Sequence, residues 1–423
     1  MRRVLLSSFL GSTVEFYDFL LYGTAAALVF GTVFFADLDP VIATIASLGT
    51  LAAGYIARPL GGIVFGHFGD RLGRKSMLVI TMALMGGAST LIGLLPGYAT
   101  IGWLAPVLLV LLRLVQGVAV GGEWGGAALM ALEHAGDRRR GFAGSFANMG
   151  APAGAVLSTV VLAVVTLLPE EQFLAWGWRI PFLLSAALVG LGLWVRLTVT
   201  ESPLFAAAAA EQPAQRRRFP LVEVLRGNPL GVLVGAGAGI GAFVLQALLA
   251  TFALSLGVQG GLARSTVLWL FAAASAVQVI ALPAYAALSD RVGRRPVMIG
   301  GAVAGAGLAY PIFSLIGSGS VSGVLLGFLI GMPLVQAAMY GPLAAFTSEL
   351  FATGSRYTGA SLGYQMSTTL GGGFAPVIAA GLVAGTGAGS GLVQVALFTG
   401  AACLLSLIVV VAAKETGRRD ISA

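Results

Sequence analysis

One feature constrains this chain above all others: long apolar runs recur twelve times along it, separated by short polar breaks. A helix needs about 20 apolar residues to cross the hydrocarbon core of a bilayer. The runs are continuous and do not alternate polar with apolar, which excludes barrel strands. They fall near residues 5–34, 41–65, 77–95, 105–131, 142–168, 179–199, 230–257, 266–288, 296–317, 321–347, 358–385 and 391–413. Charged residues make up only 10% of the chain, where a soluble domain carries about 25%. The expected fold is an all-α membrane protein of twelve transmembrane helices. MRRVLLSSFL could open a leader peptide, but its apolar run contains Glu15 and Asp18 and offers no convincing cleavage site. It reads as a retained first helix. Cys403, the single cysteine, allows no internal disulfide.

The net charge of +7 would suit a nucleic-acid partner, but its distribution argues otherwise. Twenty of the 24 lysines and arginines fall at the termini or in alternate connections, among them Arg71, Arg74, Arg138 to Arg140, Arg196, Arg216 to Arg218, Arg291, Arg294 and Arg356. The opposite connections hold Arg264 together with Asp37, Asp39, Glu170 and Glu171. This asymmetry predicts that both termini of a multi-pass membrane protein are cytoplasmic, and the bias to Arg over Lys, with only Lys75 and Lys414, fits the cytoplasmic membrane of a bacterium. The partners it implies are the lipid bilayer and small molecules, and no nucleic acid.

The chain is also a duplication. GHFGDRLGRKSML at 66–78 returns as AALSDRVGRRPVM at 286–298. Glu133 precedes Arg140 by the same seven residues that separate Glu349 from Arg356, and TESP at 200–203 is answered by KETG at 414–417. Ordered matches at nearly constant offset mean a repeat. The expected organisation is a six-helix bundle at 1–200, a linker at 201–228 and a second bundle at 229–423. Parallel halves with a binding site between them form a transporter architecture.

G-x-x-x-D-R-x-G-R-K after span 2, repeated after span 8, resembles the signature of the major facilitator superfamily. EFYDFLLYGTAAALVFG, ARPLGGIVFGHFGDRLGRK, LLRLVQGVAVGGEWGGAALMALEH, GWRIPFLLS, ESPLF and RYTGASLGYQMSTTLGGGFAP more narrowly resemble its metabolite:proton symporter family. The resemblance implies two pseudo-symmetric six-helix bundles and proton-driven uptake of a metabolite. The family's substrates include dicarboxylates, α-ketoglutarate, citrate, shikimate, proline and betaine.

Chemistry within the spans concentrates in the first half. Glu15, Asp18 and Tyr22 stand at i, i+3 and i+7, on one helical face. A carboxylate at the bilayer centre costs at least about 2.5–3.5 kcal/mol, so such groups tend to face a cavity. They read as proton-coupling or substrate-coupling residues, the alternative being an ion pair that fixes helix packing. Arg113 in span 4 is their expected partner. LLRLVQG resembles the superfamily's fourth-helix arginine motif, which in relatives is tied to proton coupling. Arg113, Gln116 and Trp124 share one face, and Glu123, off that face, reads equally as a second proton site or an inner-gate partner. A carboxylate released from its arginine in a low-dielectric interior takes up a proton, and an anionic substrate can compete for the same arginine. No cofactor is expected; the coupling ion is the proton.

Tyr22, Arg58, Gln116, Trp124, Gln246, Gln336, Tyr340, Tyr364 and Gln365 are the candidate substrate contacts. Arg58 could instead anchor a loop, and each glutamine could simply bond a neighbouring helix. Asp70, Arg71, Arg74, Asp290, Arg291 and Arg294 in the repeated loops are assigned by resemblance to gating. Glu133–Arg140 and Glu349–Arg356 are read as matched supporting pairs. No His, Cys or acidic cluster has metal-ligand spacing, and GAGAGIG at 235–241 lacks the strand and lysine of a nucleotide site, so no enzyme is indicated. The functional expectation is a monomeric proton-coupled symporter importing a small organic metabolite, with carboxylates favoured. The alternatives are a proton/drug antiporter, which GAPAG in span 5 loosely suggests, and a membrane sensor.

Overall fold

The computed structural model describes residues 1–202, 220–386 and 388–417. Much of the expected linker, including Arg216 to Arg218, and the terminal Arg418 and Arg419 lie outside the described residues. Among the described residues, twelve helical spans are long and apolar enough to cross a membrane. They are α1 (Arg2–Ala26), α2 (Ile45–Leu72), α3 (Arg74–Leu94), α4 (Leu104–Glu133), α5 (Arg140–Val165) and α6 (Arg179–Leu197), then α7 (Pro229–Gln259), α8 (Arg264–Val292), α9 (Arg294–Ile316), α10 (Val321–Ser348), α11 (Arg356–Val383) and α12 (Gly391–Ala412). The described residues contain no strand. The starts of the odd-numbered spans and the ends of the even-numbered ones share one face with both described chain ends, here termed the terminal face.

The repeated D-R-x-G-R segments are not loops. Both α2 and α8 run through the Asp-Arg pair, and only Gly73 and Gly293 interrupt the helix before α3 and α9 begin. Their φ values of 104° and 105° lie where a side chain is strained, so glycine alone turns the chain that sharply without cost. The turn keeps Asp70 and Asp290 on rigid helix ends.

Small residues set how closely the helices pack. A Cβ at Gly61 would collide with the carbonyl of Val118, and one at Gly121 with the carbonyl of Arg58, so α2 and α4 cross backbone to backbone. GAPAG serves the same end. A Cβ at Gly154 would stand 2.7 Å from the Tyr17 nitrogen, so this stretch is the seat on which α1 carries Glu15 and Asp18. In the second half GAGAGIG wedges α7 between α11 and α12, with Gly239 against Ser367 and Gly241 against Cys403.

The duplication reappears as paired helix caps. Glu201 accepts from the backbone N–H groups of Arg74 and Lys75, each at 3.1 Å, at the start of α3. Glu415 accepts from those of Arg294 and Arg295, at 2.9 and 3.1 Å, at the start of α9. A carboxylate there satisfies orphan donors and opposes the helix dipole. Burial alone would push the Glu415 carboxyl up, but backbone N–H groups from Gly417, Arg294, Arg295 and Thr416 together hold it below its ordinary value of 4.5. Its contribution to stability is therefore complete above that value and lost only as pH falls through the lowered one. Glu415→Gln should lower the melting temperature by an amount corresponding to about 1 kcal/mol. The gap to wild type, measured in detergent by thermal scanning, should hold constant at neutral pH and close in acid.

Candidate functional site

Where the halves meet at the terminal face, each of the repeated aspartates caps a helix of the other half. Asp70, ending α2, accepts from the Tyr357 and Thr358 N–H groups at 3.2 and 3.0 Å and from the Thr358 hydroxyl at 2.8 Å, at the start of α11. Asp290, ending α8, accepts from the Gly141 and Phe142 N–H groups at 2.8 and 2.9 Å, at the start of α5. Arg74 stands 3.4 Å from Asp70, and Arg294 2.5 Å from Asp290. Arg356 reaches across to Glu133 at 3.2 Å, with Arg74 3.5 Å from the same carboxylate. Glu349 receives Arg294 at 3.1 Å, while the Ser202 and Thr416 hydroxyls donate to Glu133 and Glu349.

This extends the pairing expected from the sequence. Glu133 is engaged across the interface by Arg356 as well as by Arg74, a partner from the other half that the sequence did not predict, because α4 ends opposite the start of α11. The seam is thus closed by buried charges that span both halves. Arg71 lies outside it, bonded to His67 at 3.1 Å, and Arg291 is exposed.

Above the seam the halves meet through an aromatic floor. Trp124 stacks on Tyr364 with ring centroids 3.4 Å apart, and its indole N–H donates to Asn148, whose amide donates to the Tyr340 carbonyl at 2.6 Å. The Tyr340 and Tyr364 hydroxyls bond each other at 2.7 Å, and Gln365 donates to the Gly121 carbonyl at 3.1 Å. Gln278, Gln336 and Gln246 form a chain in the second half, at 2.5 and 3.5 Å. Gln336 lies in a π-helical stretch, Ile330–Gln336, and a second such stretch, Thr368–Gly373, follows Tyr364 and Gln365. Such turns are frequent at functional sites.

The central chemistry lies in the first half. Arg58 from α2 sits 4.5 Å from the centroid of Phe19 and 4.7 Å from that of Tyr55. Arg113 from α4 lies over the same Phe19 ring at 5.0 Å and over Tyr22 at 4.1 Å. Tyr22 is held in place by its hydroxyl, which donates to Thr50 at 2.6 Å. The two arginines are only 4% and 3% exposed, and neither forms an ion pair with a described residue. Glu15 and Asp18 are each 2% exposed. Asp18 accepts a hydrogen bond from Ser185 of α6, whereas the second oxygen of each carboxylate has no hydrogen-bond partner.

The expected contact pair between Arg113 and these carboxylates is therefore absent. Aromatic rings from α1 occupy the guanidinium instead, and the arginine makes no direct contact with Asp18. Each cation–π contact supplies about 2 kcal/mol when desolvated, while burying an ion costs several. The rings offset part of that cost and leave both guanidinium groups able to accept an anion.

Glu123 has different company. Arg196 of α6 pairs with it through both terminal nitrogens, and Thr81 donates to it at 2.7 Å. All its partners lie in the first half, so it does not bridge the halves. The charge asymmetry assigned Arg196 to a connection; the structure buries it at the end of α6. Phe19, one turn above Glu15, could have been noticed on the carboxylate face, and TESP with KETG marked Glu201 and Glu415. Nothing in the sequence marked Ser89 or Ser185.

Twelve spans in two related halves, a charged seam at one face and buried ionisable groups at the centre define a multi-pass membrane transporter of the major facilitator fold. The chain belongs to the sugar (and other) transporter family, which it matches over residues 4–219 and 233–422. It is 40% identical over 419 residues to the shikimate transporter of Escherichia coli K12, covering 99% of this chain and 95% of that one. It is 39% identical to the inner membrane metabolite transport protein YhjE of the same organism, with the same coverage. Identity to the proline/betaine transporter of Salmonella typhimurium is 34%, over 100% of this chain and 85% of that one. The proton:xylose symporter XylE bound to 6-bromo-6-deoxy-D-glucose superposes with a TM-score of 0.79 over 99% of this chain and 97% of its own, at 19% identity, a likeness of fold. Since these relatives are transporters, the chain is a transporter and not an enzyme.

A Cβ on Gly54 would stand 2.5 Å from the Arg113 Nε. Gly54→Ala should displace that guanidinium from Tyr22 and raise the KM for substrate about 10-fold, equivalent to about 1.4 kcal/mol. Uptake kinetics beside a melting curve would check this, because a general packing defect would lower stability as well.

Proposed function

We propose that this chain is a proton-coupled symporter that imports a small organic carboxylate across the bacterial cytoplasmic membrane by alternating access. The observation that carries this reading is the pair of buried guanidinium groups over Phe19, close enough to repel each other, with no carboxylate among the described residues bound to either. Two fixed cations in a low-dielectric site call for an anion, and arginine forks fit a carboxylate edge. Shikimate, proline and betaine, named for the relatives, are chemically different but all carry a carboxylate.

Proton coupling would reside in Asp18 and Glu15. Each is buried beside an arginine and lacks a contact ion pair, so its charge depends on what the arginines hold. With Arg58 and Arg113 turned toward a substrate, the carboxylates lose their nearest cations and protonate. Gln246, Gln336, Tyr340, Tyr364 and Gln365 would offer neutral contacts from the other half. Their present bonds to one another and to Gly121 can be exchanged for substrate groups. Both termini are assigned to the cytoplasm on the basic asymmetry of the connections. The sealed seam then faces inward, and its aspartate caps must release for the substrate to leave. One chain supplies both walls of the site, so a monomer suffices.

The test is uptake into proteoliposomes under an inward proton gradient. The panel is α-ketoglutarate, citrate, shikimate, proline and betaine, with xylose as the uncharged control. Accumulation of a carboxylate should require the gradient, vanish in Arg113→Gln, and lose its gradient dependence in Asp18→Asn. Uptake indifferent to the gradient, or confined to the sugar, would refute the reading. Asp70→Asn and Asp290→Asn should each weaken the sealed state. Labelling of a cysteine placed on the aromatic floor with a membrane-impermeant thiol reagent from the cytoplasmic side should then speed up several-fold.

A further inference from the structure

Asp18 and Arg113 share no direct contact, yet a line of hydrogen bonds almost joins them. Arg113 Nη1 donates to Gln116 Oε1 at 3.2 Å, and Gln116 Nε2 donates to the Ser89 Oγ at 2.6 Å. Both ends of the Gln116 amide are therefore committed inside the protein. With a lone pair of its oxygen occupied, Ser89 keeps its own proton for another acceptor, and the Asp18 carboxyl is the group within its reach. On the other side Ser185 donates to Asp18 Oδ1, while Oδ2 has no partner. Every donor in this line points the same way, from the guanidinium toward the carboxylate. A single open link remains, between Ser89 and Asp18.

The surroundings of Asp18 leave few other routes for a charge signal. From α4 it faces Arg113, and α2 contributes Arg58 and Tyr55, both packed against Phe19. Its own helix contributes Glu15, Tyr17 and Tyr22. The ionisable residues of α3, α5 and α6 sit at helix ends, so at the level of Asp18 these helices present serines, Ser89 and Ser185, or no ionisable group.

We infer that Arg113, Gln116 and Ser89 form a directional relay that reports the occupancy of the substrate arginine to Asp18. The inference rests on the proton-coupled reading above. In the empty site the relay orients the Ser89 hydroxyl toward the Asp18 carboxylate and favours its ionised form. A substrate carboxylate that draws Arg113 toward itself withdraws Nη1 from Gln116, and the amide no longer holds the Ser89 oxygen. Asp18 then takes a proton from the open side, and the new carboxylic O–H donates to the lone pair that Gln116 has released. The only covalent bond formed is that O–H bond, and the Ser89–Asp18 link reverses its polarity. Gln116 and Ser89 are positioning residues in this scheme, and Gln116 does not touch the substrate.

The experiment measures the pH at which gradient-driven uptake is half-maximal, in proteoliposomes of wild type, Ser89→Ala, Gln116→Met, the double variant and Ser89→Thr. Loss of a donor aimed at a carboxylate makes protonation easier. Ser89→Ala and Gln116→Met should each move the midpoint up, by about half to one pH unit. The double variant should shift no further than either single one, because both break the same line. Ser89→Thr, which keeps the hydroxyl, should retain the wild-type midpoint. Melting temperatures measured alongside separate folding from coupling, and Gln116→Met carries the test if Ser89→Ala does not fold. Midpoints that stay in place while maximal rates fall would overturn the relay, as would additive shifts. Coupled wild-type uptake with unshifted variants would sink the relay alone; wild-type uptake blind to the gradient would sink the proton-coupled reading as well.

Discussion

A charge inside an apolar helix bundle must be met by an opposite charge, by a helix dipole, or by a proton. The whole molecule is organised around how that requirement is satisfied in different places. At the terminal face it is satisfied fully, by aspartates on helix N-termini and by arginines shared between carboxylates. Inside the first half it is satisfied once more by Glu123 with Arg196 and Thr81. At the centre it is left unsatisfied. Arg58 and Arg113 rest on aromatic rings, and Glu15 and Asp18 retain an unbonded oxygen each. The contrast separates what holds the transporter shut from what it holds open for a ligand.

The two kinds of site are mechanically linked by the helices that carry them. The helix that places Asp70 at the seam also places Arg58 at the centre, and α4 carries Arg113, Trp124 and Glu133 along its length. Movement of α2 against α11 at the seam must therefore move the floor and the guanidinium groups together. Glycine at the crossing of α2 and α4 makes the first half a tight unit, which suits rigid-body rocking of one bundle against the other.

How much of this was legible beforehand follows from where the information sits. The span count, the duplication and the ionisable residues inside the spans could be read directly, since each depends on composition and spacing along one helix. Asp18 with Glu15, Arg113 and the repeated aspartates were identifiable as unusual for the same reason. Their partners were not. Arg113 was expected against a carboxylate and lies against Phe19 and Tyr22; Glu133 was expected with Arg140 and is engaged by Arg356. Gln116 shared a helical face with Arg113 and was grouped with the substrate contacts, whereas its amide is spent between Arg113 and Ser89.

The sequence by itself determined that the chain spans a membrane in two related halves, because hydrophobicity and repetition are local properties of the chain. It also marked the charges inside apolar runs, such as Asp18 and Arg113, for burial, since they have nowhere else to go; the burial of Arg74, Arg196, Arg294 and Arg356, read from the sequence as connection charges, was decided by packing. Only the tertiary structure decided which of those charges are neutralised and which wait unpaired. Pairing depends on how helices far apart in sequence rotate and cross, and the glycine contacts that set those crossings bring together backbones whose proximity no single helix encodes.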